Sequence, residues 1–134
     1  MSNSQRIPMK TIINTPHAPA AIGPYSQAVK QGNQLFVSGQ LPINPASGQI
    51  EAADIQGQTK QVFSNLKAII EAAGFTMGDV VKTTVLLADM GLFAGMNDVY
   101  ATQFDGDYPA RAAFAVKELP KQALVEIEAI AIKG

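Results

Sequence analysis

The sequence has no cysteine and only one histidine, His17. Disulfides, thiolate nucleophiles and zinc–thiolate sites are therefore excluded, and no histidine cluster is available for a tight transition-metal site. Charge is also scarce. Charged residues are 16% of the 134 residues and the formal net charge is −1, against roughly 25% charged residues in an average soluble domain. No basic run or acidic tail is present, so the electrostatic footprint of a nucleic-acid binder is missing. No apolar run reaches the length of a membrane span. The opening segment MSNSQRIPMK has no apolar core and two basic residues, unlike a secretory or transit segment. A cytoplasmic protein is the expectation. Met9, where the patterned sequence begins, is an alternative start to Met1 and sets off residues 1–9 as a short extension.

What the chain does have is apolar surface, with 47% hydrophobic residues. That is enough for one good core in a single domain over residues 10–134. Combined with so little charge, it points to an oligomer that buries further surface. Lys10 to Asn14 reads as a short strand before the loop TPHAPAAIGP. Gln27 to Lys30 and Gln34 to Ser38 flank Gly32-Asn33, a tight hairpin signal. Asp54 is placed to cap a helix running to about Ala73, with Val62, Phe63, Leu66, Ile69 and Ile70 as its apolar stripe. Val80 to Ala88 reads as a buried strand rich in β-branched residues. A second helix is expected from about Leu92 to Phe104, with Phe93, Met96, Val99, Tyr100 and Phe104 at helical spacing, and Pro109 bars its continuation. Ala112 to Val116 and Val125 to Ile132 complete the strands. This order predicts an α+β domain with helices on one face of a mixed sheet and the other face left bare.

Arginine occurs twice, at Arg6 and Arg111, while lysine occurs eight times. Arg111 lies in DYPARAAFAV, a run of small and apolar residues that reads as a buried strand. A buried guanidinium needs an anionic partner. The last strand, VEIEAIAI, offers candidates, because alternation puts Glu126 and Glu128 on one face with Ile130 and Ile132. Two readings stand at this level. Arg111 pairs with Glu126 or Glu128 as a structural salt bridge, or its fork holds a ligand carboxylate while a glutamate handles water or a proton. Tyr25 after Gly23-Pro24, Ser38-Gly39 at a strand end and Asn97 in the second helix are weaker candidates, and His17 reads as a loop residue. No phosphate-cradling glycine loop is present. No cofactor and no metal are expected.

The segments AIGPYSQAV, LFVSGQLP, DVVKTTVLLADM, MNDVYATQF, YPARAAFAV and VEIEAIAI follow one another in the order seen in the RidA family, also called YjgF. From Met9 onward the chain resembles that family. The resemblance implies a chorismate-mutase-like α+β fold, a mixed β-sheet with two helices on one face, and a homotrimer with ligand sites between subunits. It implies cofactor-free hydrolysis of reactive enamine and imine intermediates released by pyridoxal-phosphate enzymes. These are 2-aminoacrylate, 2-aminocrotonate and the derived 2-imino acids, and the products are 2-oxo acids and ammonia. By position, the family's carboxylate-binding arginine falls on Arg111 and its water-activating glutamate on Glu126. The substrate-binding positions fall on Tyr25, Ser38, Gly39, Asn97 and Ala113. Many members have cysteine at the last of these, and alanine leaves only the backbone there. Two other functions remain open: a non-catalytic trimer that binds 2-oxo acids, and an RNA-cleaving translation inhibitor. Glu126 favours the enzyme over the binder. The lone His17 and the absence of a basic patch disfavour contact with nucleic acid.

Overall fold

The computed structural model describes residues 9–134; Arg6, Met1 and all but the last residue of the expected N-terminal extension lie outside them. The described residues form strands β1 (Thr11–Ile13), β2 (Ala28–Gln31), β3 (Gln34–Gln40), β4 (Ile43–Asn44) and β5 (Gln49–Ile50), then helix α1 (Ile55–Ala72). Strand β6 (Val80–Leu87), helix α2 (Phe93–Tyr100), and strands β7 (Ala110–Ala115) and β8 (Val125–Ile132) follow. Six strands build one sheet in the order β1-β2-β3-β8-β6-β7, and β4 pairs with β5 in a small separate hairpin. Only β6 and β7, joined through α2, run parallel; their neighbours pair antiparallel. The α+β class with a mixed sheet is as expected.

Local signals explain most of these elements. Gln31 pairs with Gln34 across Gly32-Asn33, and Gly32 sits at φ 61°, the positive value that a two-residue hairpin turn requires. Asp54 caps α1 by accepting the Gly57 N–H at 2.8 Å. The predicted stripe of α1 is buried against β3 and β8, with Val62, Phe63, Leu66, Ile69 and Ile70 all at most 1% exposed. From the other side, Val85, Leu87, Val125, Ile127, Ala129 and Ala131 complete this core.

Helix α2 and strand β7 differ from the sequence reading in three respects. Helix α2 stops at Tyr100 rather than Phe104 because the Thr102 hydroxyl donates to the Val99 carbonyl at 2.7 Å, a side-chain bond that competes with the helix. Phe104 keeps its apolar contact regardless, with its ring 5.3 Å from that of Tyr100. Strand β7 begins two residues earlier than expected. It is also not buried. Arg111 is exposed, since β7 is an edge strand and its small apolar residues mimic a central one.

The sheet face away from the helices carries Ile12, Phe36, Phe114 and Ile132, each 38–51% exposed. This is the bare apolar face that the element order predicted. Among the described residues no helix is long and apolar enough to cross a membrane.

Candidate active site

Arg111 is positioned by β7 on one side and α2 on the other. Its register partner on β6 is Thr83, whose buried hydroxyl lies 2.7 Å from the Tyr100 hydroxyl. The arginine side chain therefore emerges on the helix-bearing face. Its guanidinium carbon sits 4.6 Å from the Tyr100 ring centre and 5.3 Å from that of Phe93. Its Nη1 donates to Asn97 Oδ1 at 2.7 Å. Phe93, Asn97 and Tyr100 are spaced i, i+4, i+7, so one face of α2 supplies all three contacts. A guanidinium has five N–H donors, and a neutral asparagine leaves its charge uncompensated. Among the described residues no carboxylate forms an ion pair with Arg111. Asn97, Tyr100, Ala101, Tyr108, Pro109 and Arg111 line a cleft of about 450 Å³. Ala113, two residues along β7, shares the arginine's side of the sheet.

Glu126 lies elsewhere. It pairs with Leu86 on β6, and its neighbour Ile127 pairs with Val85 and is fully buried under the helices. Alternation then puts Glu126 on the bare face. Arg111 and Glu126 thus emerge on opposite faces of one sheet. An intrachain salt bridge between them, or from Arg111 to Glu128, is ruled out by this register.

The surroundings of Glu126 explain why a glycine stands on β3. The β3–β8 register slips between Val37 and Gln40, a bulge that carries Ser38 and Gly39. A Cβ on Gly39 would collide with Glu126 Oε2 and come within 2.9 Å of its carboxyl carbon. Ser38 donates its hydroxyl to the Ser26 carbonyl at 2.6 Å, tying the bulge to the segment that bears Tyr25. Tyr25 and Gly39, with Leu41, Ile43 and Lys121, line a second cleft of about 450 Å³. Burial pushes the Glu126 carboxyl above its ordinary pKa, and the charge of Glu128 adds to the rise. A carboxylate tuned upward in this way is a better proton acceptor.

Gly39→Ala should therefore act on Glu126 rather than on the fold. The displaced atoms are the end of a flexible side chain, so the melting temperature should stay close to the parent's. Any reaction that needs Glu126 in place should slow at least tenfold. Thermal melting and a rate measurement on this variant check both parts.

Each predicted site residue therefore joins one of two groups. Arg111, Asn97 and Ala113 form one; Tyr25, Ser38, Gly39 and Glu126 form the other. Sequence reasoning missed the buried amides that hold the second group's walls. Gln27 accepts the Thr15 N–H at 2.7 Å and donates to the Thr15 and Pro19 carbonyls. Asn65 donates to the carbonyls of Leu41 and Ile43, and Gln58 accepts the Leu124 N–H at 2.8 Å. Gln58 and Asn65 fall seven residues apart on the apolar stripe of α1, a spacing that marks polar residues pointed at the core.

A further cleft of about 480 Å³, lined by Lys67, Glu71, Thr102, Asp105 and Asp107 among others, contains none of the predicted site residues. His17 is exposed, and its backbone N–H donates to the Thr15 hydroxyl at 3.2 Å. Among the described residues no three His, Asp or Glu side chains are grouped to hold a metal ion.

Residues 15–133 match the family model described as Endoribonuclease L-PSP. A RutC family protein of Pyrococcus horikoshii is 57% identical over 125 residues, covering 93% of this chain and 99% of its own. The 2-iminobutanoate/2-iminopropanoate deaminase of Mus musculus is 49% identical over 126 residues, covering 94% of this chain and 92% of its own. The crystal structure of Escherichia coli TdcF with bound serine superposes with a TM-score of 0.89 at 46% identity, covering 92% of this chain and 99% of that one.

Proposed function

This chain belongs to the RidA/YjgF family, that of the Endoribonuclease L-PSP model, and from that premise we propose that it hydrolyses free 2-imino acids to 2-oxo acids and ammonia without a cofactor. Enamine precursors such as 2-aminoacrylate and 2-aminocrotonate enter after protonation at their terminal carbon. The source of these compounds, intracellular pyridoxal-phosphate chemistry, puts the reaction in the cytoplasm. One observation supports this reading above the others: a 2-iminobutanoate/2-iminopropanoate deaminase is about half identical across 94% of the chain. Serine, the ligand bound to TdcF, is likewise a small carboxylate with nitrogen on its second carbon.

Arg111 holds the substrate carboxylate through two parallel N–H donors, a match in shape and charge that a lysine does not provide. Glu126 takes a proton from water as the water oxygen attacks the C=N carbon, and the imine nitrogen gains a proton. Glu126 then returns its proton to the carbinolamine nitrogen; the C–N bond breaks as the C=O bond forms, ammonia leaves, and the hydroxyl proton goes to solvent in place of the one that the imine nitrogen took from it. The free imine is already electrophilic, so modest acceleration suffices. Positioning plus one general base, the latter worth roughly two to four powers of ten, supplies it.

Opposite faces of one sheet cannot serve one small ligand. A second copy resolves this: the Arg111, Asn97 and Ala113 group of one subunit faces the Tyr25, Ser38, Gly39 and Glu126 group of its neighbour. We take the assembly to be a homotrimer of single domains spanning residues 10–134, with its bare apolar sheet faces turned inward. The exposed Phe36, Phe114 and Ile132 support such burial.

The endoribonuclease wording of the family description finds no support in either group. His17, the sole histidine, lies on an exposed loop.

A coupled assay tests the reading. With 2-aminoacrylate or 2-aminocrotonate generated in turn by a dehydratase, imine loss should be faster with this protein present than without it. Spontaneous rates for both, combined with 2-oxo-acid binding, would instead mark a binding module.

A further inference from the structure

We propose that Thr83 and Tyr100 are positioning residues for Arg111, a hydroxyl pair that fixes the orientation of the carboxylate-binding fork before substrate arrives. This rests on the reading of Arg111 as the carboxylate holder. The two hydroxyls are 2.7 Å apart, and their residues are 1% and 3% exposed. Among the described residues each hydroxyl has the other as its hydrogen-bond partner.

Three features make the pair a device rather than a packing detail. Thr83 is the register partner of Arg111, so the anchor lies directly beside the residue it serves. Thr83 is β-branched and stiff at χ1, on a strand paired on both sides. The Tyr100 ring is the platform beneath the guanidinium, 4.6 Å from its carbon, and a ring pinned at its hydroxyl cannot slide. Asn97, three residues earlier on the same helix, then holds Nη1. Face and edge of the guanidinium are both set by α2, and the hydroxyl pair ties α2 to β6 at that point. A fork ordered in advance loses less freedom on binding.

The test uses the full chain and 2-oxobutanoate binding by calorimetry, together with imine hydrolysis and thermal melting. Tyr100→Phe keeps the platform and removes the pin. Affinity should fall about three- to tenfold and KM should rise by a similar factor, while kcat changes less than twofold. The melting temperature should also fall, because the Thr83 hydroxyl is left buried without a partner. The double variant Thr83→Val with Tyr100→Phe removes that orphan. It should melt nearly like the parent yet keep the weakened affinity and raised KM.

If the double variant regains parental affinity and KM along with its melting temperature, or if Tyr100→Phe binds like the parent, the pair is merely structural. Arg111→Lys serves as the reference. If that variant also binds like the parent, the carboxylate reading of Arg111 itself falls; if it alone binds weakly, only the positioning role does.

Discussion

Arg111→Lys should lower both 2-oxo-acid affinity and imine turnover by roughly ten- to a hundredfold, the size of a lost charge-assisted hydrogen bond. Lysine keeps the positive charge. It lacks the planar fork, and its ammonium does not stack on Tyr100 and Phe93 as a guanidinium does. The carboxylate would then be held at one point and free to swing. Because Arg111 is exposed and forms no intrachain ion pair among the described residues, the melting temperature should move little. A variant that melted several degrees early but bound 2-oxobutanoate like the parent would assign Arg111 to structure instead.

Glu126→Gln should instead separate the two effects, with turnover falling about a hundredfold or more while 2-oxo-acid binding stays intact or tightens. Glutamine matches glutamate in size but cannot accept a proton from water, and it removes an anion from beside an anionic ligand. In the parent, turnover should fall as pH drops through the Glu126 pKa, which burial and Glu128 hold above its ordinary value. The variant should lose that limb of the pH profile. Stability follows the same shift. A carboxyl with a raised pKa in the folded state favours folding when protonated, below its unfolded pKa, and this contribution is lost as pH rises through the folded value. Above the folded-state pKa, Glu126→Gln should therefore melt higher than the parent. Melting and rate profiles across pH, recorded on both proteins, check all three points.

The residues differed in how much of this they disclosed. The alternation in VEIEAIAI placed Glu126 and Glu128 together on one face with Ile130 and Ile132 correctly, because strand periodicity depends on nothing beyond the strand; that this is the bare face needed the register against β6. The stripe of α1 and the Gly32-Asn33 hairpin were legible for the same local reason. The exposure of Arg111 was not, since an edge strand and a central strand share the same small apolar residues and differ only in their neighbours. Nor could the sequence reveal that Arg111 and Glu126 face apart, a relation set by the register of β6 against both β7 and β8. Gly39 was visible as a place where a side chain is missing, but what fills the space, the Glu126 carboxylate, depends on the bulge in β3. The pairing of Thr83 with Tyr100 joins residues 17 apart and had no local signal at all.

Subunit mixing tests the shared site most directly. Chains carrying Arg111→Lys and chains carrying Glu126→Gln should each be slow on their own. Co-assembled at equal ratio, they should recover about a quarter of the parental rate, because each interface draws its arginine-bearing and glutamate-bearing sides independently. A mixture with confirmed exchange of subunits that was no faster than the mean of the two parent variants would contradict a site built from Arg111 of one copy and Glu126 of the next.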